Sequence, residues 1–177
     1  IAAHSFREAI MAWVLAKEKG AHFNMERILK IALIHDLCEL YAGDTTPYDG
    51  ILPKNKKDWP KLFDKWPRFS KAEKRRNFLK KHKKEKAALI KLTLKLPSAT
   101  KKEILGLWFD YEAGKTKEAR FVRQVGRVVT LLQALEYSKE NKRRLYKSWW
   151  VGSKELIDDP ILLDFVKALE KKFHKNS

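Results

Sequence analysis

Several features are scarce in this sequence of 177 residues, and each shortage narrows what the protein can be. A single cysteine, Cys38, excludes an internal disulfide and fits a reducing compartment. The longest apolar runs, such as residues 31–34, are far too short to cross a bilayer. With no signal-peptide pattern in view, we expect a cytoplasmic protein without a membrane partner. No segment alternates apolar and polar residues as a half-buried strand would, which favours an all-α fold.

Positive charge is what the sequence has in excess. Lys and Arg number 39 against 22 Asp and Glu, a formal net charge of +17. Residues 54–86 concentrate this charge, because fifteen Lys and Arg stand there against four Asp and Glu. Such a surface attracts phosphates, nucleic acid or acidic lipid. Runs of this kind are also typical of the solvated face of a surface helix, so both interpretations stay open.

Helical spacing and capping signals divide the first third of the chain. Apolar residues at helical intervals predict a helix over residues 1–19 that Gly20 ends. Asn24 is expected to cap a second helix that runs to about Tyr41. Residues 42–57 contain two Gly and two Pro and are typical of a loop. The apolar residues that define the first helix are Phe6, Ile10, Trp13 and Val14.

The rest of the chain follows the same helical pattern. Ser70 and Glu73 form a capping box that predicts a long basic helix to about Leu96, with Pro97 ending it. Further helices are expected over residues 104–112 after Thr100 and Glu103, over residues 116–140 from Thr116, and from Asp159 and Pro160 onwards. We therefore predict one all-α domain over residues 1–177, with a basic insertion at about 48–96 and a helical extension at about 141–177.

Aromatic residues inside the basic insertion leave two interpretations open. Trp59, Phe63, Trp66 and Phe69 are interleaved with lysines, a pattern that suits stacking on the bases of a nucleotide or single-stranded nucleic acid. The favoured interpretation is an amphipathic flap whose aromatic side chains pack on the domain while its lysines face water. Outside the insertion, the large aromatic pair Trp149 and Trp150 predicts core or dimer contacts.

The clearest functional signal is the adjacent pair His35-Asp36 at the end of an apolar helical run. Buried polar groups each need a partner, and one metal ion would serve both residues. Glu39 lies one turn beyond His35 on the same side, and Asp44 follows the helix. A lone histidine on an apolar face is usually a satisfied core residue, but the neighbouring carboxylates weaken that interpretation. His4, on the preceding helix, is a candidate third ligand if the two helices pack together.

Six ordered segments together resemble the HD-domain metal-dependent phosphohydrolases. Within them, the sequence is similar to the branch of 5'-deoxynucleotidases and the related HD-domain-containing protein 2. The match covers roughly residues 1–137. The segments that carry it are residues 4–7 (HSFR), 32–39 (ALIHDLCE), 43–47 (GDTTP), 107–112 (LWFDYE), 118–122 (EARFV) and 132–137 (LQALEY).

The resemblance implies a role for each matching residue. In that family, a metal is held by a histidine of the first helix, the His-Asp pair and an aspartate of a later helix. His4, His35 and Asp36 match the first three ligands. Glu39 matches the carboxylate implicated in catalysis, and Asp44 matches the one near the substrate sugar and the attacking water.

This sequence departs from the family pattern at the fourth metal ligand. The aligned position is Gly126, and the acidic residue usually found three positions later is Val129. Loss of an anionic ligand is expected to weaken metal binding, although the glycine leaves space for water or another carboxylate. Relatives also carry a segment ahead of the first histidine with an arginine that contacts phosphate.

The resemblance thus predicts a divalent-metal phosphohydrolase acting on (deoxy)nucleoside 5'-monophosphates. The metal would be Co²⁺, Mn²⁺, Zn²⁺, Fe²⁺, Mg²⁺ or Ni²⁺, and a homodimer is implied. Candidate substrate-binding residues are Arg7, Thr46, Lys56 and Lys57. The alternative is an HD-fold protein impaired by Gly126 that binds nucleotide or nucleic acid through its basic face.

Overall fold

The computed structural model describes residues 1–18, 22–46 and 48–174, and this part of the chain is helical with no β-strand. The predicted all-α fold is confirmed. A short 3₁₀ turn, Lys56–Asp58, precedes the fourth helix. The helices are α1 (Ala2–Glu18), α2 (Met25–Ile34), α3 (Glu39–Ala42), α4 (Trp59–Phe63), α5 (Lys71–Leu92), α6 (Ser98–Ala113), α7 (Lys117–Glu140), α8 (Lys147–Leu156) and α9 (Pro160–His174).

The core forms where α1 and α2 pack on each other and on the long helix α7. On α7, buried side chains recur every three or four residues, as in Phe121, Val125 and Val128, which places one apolar face against the bundle. Ile28 and Ile31 of α2 are fully buried against it. Helix α9 also packs on α7, and its buried residues Leu162 and Val166 belong to the same core. This packing fixes the relative positions of α1, α2 and α7.

The large apolar residues of helix α1 do not form the face that packs on the core. Its buried face consists mainly of small side chains such as Ala9, Ala12 and Ala16, which let α1 approach α2 closely. The larger apolar residues lie on the opposite, exposed face: Phe6, Ile10, Trp13 and Val14. The predicted stop at Gly20 lies outside the described residues.

Three predicted boundaries were wrong. The second helix does not run to Tyr41, because α2 ends at Ile34 and turns separate it from α3. Thr100 does not cap α6, which already begins at Ser98 after Pro97. Helix α5 ends at Leu92, and α8 was not predicted as a separate helix. By contrast, the side-chain caps of Asn24, Ser70 and Thr116 are confirmed.

The segment between α3 and α5 packs on the C-terminal helices. The ring of Phe63 lies 5.5 Å from that of Tyr146, and Trp66 packs directly on Gly152 of α8. Arg68 forms a two-bond ion pair with Glu155 at 2.7 and 2.6 Å. Lysines of the same segment are exposed, which confirms the amphipathic flap. None of the described helices is long and apolar enough to traverse a bilayer.

Candidate metal centre and active site

A cavity of about 780 Å³ lies between α1, the turn after α2, α7 and the flap packed on α8. Its lining brings together residues that are far apart in the sequence. The predicted site residues that line it are His4, His35, Asp36, Glu39, Asp44 and Thr46. Their roles remain predictions, but their convergence on one cavity is a property of the fold.

The backbone holds His35 in the orientation of a metal ligand. Its Nδ1 lies 2.9 Å from the carbonyl oxygen of Ala32, and because a carbonyl can only accept, Nδ1 donates its proton there. That bond leaves Nε2 as the nitrogen facing the other site residues. Orientation of a ligand imidazole by a backbone carbonyl is the usual arrangement around metal-binding histidines. His35 is buried, with 4% of its surface exposed.

A break in the helix explains how two adjacent residues both reach the cavity. After Ile34 the backbone changes to three-residue hydrogen bonds, such as Leu37 N to Ile34 O at 3.1 Å and Glu39 N to Asp36 O at 3.0 Å. The turn places His35 and Asp36 at the end of α2 rather than on its side. The Asp36 carboxylate lies 3.1 Å from His35 Nε2 and 3.8 Å from His4 Nε2.

A carboxylate that the sequence reasoning missed lies beside the two histidines. Glu8 is completely buried, and its Oε2 is 3.3 Å from His4 Nε2 and 3.5 Å from His35 Nε2. The donor atoms of His4, Glu8 and His35 all lie within 4.8 Å of one another. Glu8 follows His4 by one helical turn, so the i,i+4 spacing on α1 was a signal available in the sequence.

The donor atoms fit a divalent ion. An ion bound at about 2.1 Å separates neighbouring ligand atoms by roughly 3.0–3.4 Å. The distances between the imidazole nitrogens of His4 and His35 and the two carboxylates range from 3.1 to 3.8 Å. Imidazole nitrogens combined with carboxylate oxygens suit Zn²⁺, Mn²⁺, Fe²⁺ or Co²⁺.

Burial and neighbouring charges shift the pKa values of three of these cavity residues. Burial opposes a charge on His35, but the hydrogen bond and charge of Asp36, with the charge of Glu8, raise the pKa of His35 to about 9. For Asp36, burial is outweighed by the hydrogen bond and charge of His35, which lower its pKa. Burial and the charges of Asp36 and Asp44 raise the pKa of Glu39 to about 7. A carboxylate that titrates near neutrality suits proton transfer.

A glycine directs the chain back to the cavity after α3. Gly43 ends that helix with φ of +73°, a backbone conformation that L side chains rarely adopt. The next residue, Asp44, is exposed and lines the cavity. The hydroxyl of Thr46 donates to Asp49 at 2.7 Å and so holds the loop, whereas the buried hydroxyl of Thr45 has no hydrogen-bond partner within the described residues.

Three predicted substrate-binding residues lie elsewhere. Arg7 is not part of the cavity lining and pairs with Glu136 at 2.7 Å. Lys56 and Lys57 are exposed on the 3₁₀ turn and do not line the cavity either. The cations that do line it are Lys81, Arg123 and Arg127. Sequence reasoning missed them because helices α5 and α7 carry many basic residues, and only packing selects those that face the cavity.

The two tryptophans of α8 have separate surroundings. Trp150 packs against the hydrophobic core, as predicted. Trp149 instead lines the cavity, together with Trp66 and Phe63 of the flap. Trp149 therefore does not lie in the core, and a dimer contact of this residue stays a prediction.

Comparison with known proteins shows the family of this chain. The sequence model of the HD domain family matches residues 1–157. The 5'-deoxynucleotidase HDDC2 of Bos taurus is 30% identical over 174 residues, which span 98% of this chain and 71% of the bovine protein. The 5'-deoxynucleotidase HDDC2 of Xenopus laevis is 34% identical over 140 residues, or 79% of this chain and 56% of that protein.

Solved structures show the same architecture. A crystal structure described as a predicted metal-dependent phosphohydrolase, from Magnetospirillum magnetotacticum MS-1, matches with a TM-score of 0.63 and 25% identity over 97% of this chain and 75% of that one. A conserved hypothetical protein from Pyrococcus furiosus matches with a TM-score of 0.63 and 23% identity, over 97% of this chain and 83% of that one. At that identity, the second match shows the fold alone.

Proposed function

Because this chain belongs to the HD-domain family and is a metal-dependent phosphohydrolase of nucleotides, we propose that it removes phosphate from deoxynucleoside 5'-monophosphates. One observation carries the proposal: metal-ligand donors, a carboxylate with a near-neutral pKa and three cationic side chains all line one cavity. Its volume of about 780 Å³ lies within the roughly 300–1,000 Å³ usual for small-molecule sites.

The metal-binding end is the reaction centre in this proposal. His4, His35 and Asp36 would hold a divalent ion. When bound, such an ion lowers the pKa of coordinated water and polarises a phosphoryl oxygen. His35 would offer Nε2 to the ion, because its Nδ1 donates to the carbonyl of Ala32. The hydrogen-bonded carboxylate of Asp36 lies within 3.1 Å of that nitrogen.

Glu39 and Asp44 serve the attacking water. Glu39 would accept a proton from the water as the oxygen of that water bonds to phosphorus. The P–O bond to the sugar breaks in the same displacement. The departing 5'-oxygen takes a proton from solvent and leaves as the nucleoside hydroxyl, while Glu39 releases the proton it accepted to solvent. The products are a nucleoside and inorganic phosphate. Asp44, which is exposed and lines the cavity, would orient the water and the sugar.

The cationic residues of the lining would bind the phosphate. Arg123 and Arg127 lie one turn apart on α7, so both side chains leave the same face of the helix. Lys81 reaches the cavity from α5, and Glu85, 3.4 Å away, keeps its ammonium charged. Planar guanidinium groups suit a phosphate because they donate two parallel hydrogen bonds. These residues replace Lys56 and Lys57 as candidates for substrate binding.

The aromatic part of the lining would receive the base. Tyr48, Phe63 and Trp66 of the flap meet Trp149 of α8 around the same cavity. The ring planes of Tyr48 and Phe63 meet nearly edge to face, with centroids 5.0 Å apart. A base has an apolar face that stacks on such rings without sequence selectivity. Broad acceptance of the four common bases is therefore expected.

Turnover of deoxynucleoside monophosphates tests the proposal. Purified protein loaded with Mn²⁺ or Co²⁺ is expected to release inorganic phosphate from 5'-monophosphates, and chelation is expected to abolish the release. Nucleoside 3'-monophosphates and ribonucleotides serve as comparison substrates. Absence of phosphate release from every 5'-monophosphate, with metal bound, contradicts the proposal.

A second candidate has one observation in its favour. A protein without turnover would bind nucleic acid through α5, whose basic residues are almost all exposed. Binding of this kind weakens steeply with salt, because each phosphate contact releases counterions. Salt-sensitive binding of single-stranded DNA, combined with no turnover, would favour this candidate over the hydrolase. The basic residues concerned are Lys71, Lys74, Arg75, Arg76, Lys80, Lys83, Lys84 and Lys86.

We also propose that the protein works as a cytoplasmic homodimer. The single cysteine, Cys38, is buried, which suits a reducing compartment. Support for the dimer comes from α1, whose four large apolar side chains form a continuous exposed face.

A further inference from the structure

We infer that Glu8 is a metal ligand of this protein and takes the place of the acidic ligand that the family resemblance puts at position 126. The ligand has moved from α7 to α1, and Gly126 provides the space for it. The inference concerns metal binding, so it rests on the metal-dependent part of the proposed function and not on the identity of the substrate.

The state of the Glu8 carboxylate is the first reason. Glu8 is fully buried, and within the described residues neither of its oxygens has a hydrogen-bond partner. A buried ionised carboxylate is costly unless a cation or hydrogen-bond donors offset its charge. The two imidazoles of His4 and His35 lie beyond good hydrogen-bond length, at 3.3 and 3.5 Å. A cation bound between these groups would satisfy all three.

The environment of Gly126 is the second reason. A Cβ atom at this position would lie 2.8 Å from Glu8 Oε2, 3.2 Å from its Cδ and 3.4 Å from its Oε1. Glu8 therefore fills the space into which a side chain at 126 would project. An aspartate at 126 and the present position of Glu8 exclude each other. The glycine is in the interior of α7, where it costs about 1 kcal/mol relative to alanine, so it needs such a packing reason.

Charge conservation is the third reason. Glu8 shares one cluster of donor atoms with His4 and His35, and Asp36 lies 3.8 and 3.1 Å from the nitrogens of the same two histidines, so two imidazoles and two carboxylates are available to the ion. The family pattern also has two imidazoles and two carboxylates, so the exchange of positions preserves both the donor types and the charge of the site. The weakening expected from the loss of an anionic ligand at 126 is therefore offset. Val129 contributes no donor and is fully buried in the core.

Metal titration of four variants tests the inference without any substrate. Calorimetry with Mn²⁺ on chelator-treated protein is expected to show one site in the wild type. Glu8→Gln keeps the side-chain shape and is expected to weaken binding by at least about tenfold, the lower limit for losing even an outer-sphere partner. Glu8→Ala is expected to weaken it further. Gly126→Asp alone is expected to bring no gain, because Glu8 occupies the space.

The double variant is the decisive measurement. Glu8→Ala with Gly126→Asp vacates the space and supplies a carboxylate from α7, so it is expected to bind Mn²⁺ at least about tenfold more tightly than Glu8→Ala. Such a recovery is a non-additive coupling that two unrelated positions would not show. A double variant that binds no better than Glu8→Ala contradicts the exchange.

Glu118→Gln is the matched control. Glu118 is another buried glutamate, accepts a hydrogen bond from the backbone of Asn24 at 3.0 Å, and is absent from the cavity lining. Its variant is expected to bind Mn²⁺ like the wild type. Circular dichroism verifies that each variant is folded. Wild-type affinity in folded Glu8→Gln would overturn the inference, whereas bound metal without phosphate release would count only against the proposed function.

Discussion

Single side chains in this cavity are controlled by the groups that contact them, some close in the sequence and some far away. The Ala32 carbonyl sets the tautomer of His35, and the close approach of Glu8 depends on the missing side chain at Gly126. Glu39 shows the same dependence, because burial and the charges of Asp36 and Asp44 raise its pKa to about 7. At the residue scale, the orientation and the pKa of each site residue therefore depend on the one or two groups that contact it.

The raised pKa of Glu39 predicts the pH dependence of turnover. A general base acts when deprotonated, so kcat/KM is expected to rise with pH and then level off, with a midpoint at or below about 7 because a bound divalent cation favours the ionised carboxylate. Asp44→Asn removes one of the negative charges that raise this pKa, so the midpoint is expected to move to lower pH. A pH–rate profile of the metal-loaded enzyme measures both effects.

Glu39→Gln provides the control for that assignment. Without a titrating base, the limb near neutrality is expected to disappear and the rate to fall by on the order of 10²- to 10⁴-fold. A variant that keeps the same midpoint would assign the titration to another group.

At the scale of elements, two features shape the site: the break after α2 and the docking of the flap on α8. The break turns the His35-Asp36 pair toward α1. The flap is held by Trp66 on Gly152, by the ion pair of Arg68 with Glu155, and by rings around Phe63. Both features place cavity walls that no single helix could supply.

Substitution of Gly152 tests the docking of the flap. A Cβ atom there would lie 2.6 Å from a ring carbon of Trp66, and the rigid indole has to move. Gly152→Val is expected to destabilise the protein by about 1–3 kcal/mol and to displace the flap. Denaturant unfolding measures the first effect, and faster proteolytic cleavage within residues 48–69 measures the second.

Gly106→Ala is the matched substitution. Gly106 lies within α6 with open space around its Cβ position, so alanine meets nothing. This variant is expected to gain up to about 1 kcal/mol from helix propensity alone and to leave the flap in place. Equal proteolysis of Gly152→Val and wild type would contradict the docking role of Gly152.

At the scale of the whole molecule, the exposed apolar face of α1 is the notable feature. Phe6, Trp13 and Val14 have 64%, 49% and 50% of their surfaces exposed. The core side of α1 is built from alanines, so these larger residues are available to a second copy of the chain. Contiguous exposed apolar patches mark interaction sites more often than isolated residues do.

The proposed homodimer predicts a concentration-dependent mass. Trp13→Lys places a charge in the centre of that face and is expected to shift the protein toward monomer, with the dissociation free energy lowered by about 2 kcal/mol or more. Light scattering coupled to size exclusion measures the mass. Leu94→Lys, at a leucine that is 66% exposed between α5 and α6, is the control and is expected to leave the mass unchanged. A wild type that is monomeric at every concentration contradicts the dimer.

Local signals in the sequence predicted much of the fold. The helical class and the caps at Asn24, Ser70 and Thr116 follow from interactions within a few residues. The predicted helix boundaries were wrong where tertiary packing outweighed the local helix preference of the sequence. The turn after Ile34 shortened one predicted helix, and α8 owes its position to contacts with α7, α9 and the flap.

The sequence by itself determined the all-α fold and the family, and it led us to expect His4, His35 and Asp36 at one site. These predictions succeed because hydrophobic periodicity, helix caps and ordered motifs can be read from short stretches of the chain. Only the tertiary structure decided which carboxylate accompanies the two histidines and which cations line the cavity. These contacts are set by the distances between helices. At Gly126, the absence of a side chain leaves the space that Glu8 occupies. The packing of α1 against α7 brought Glu8 into that space.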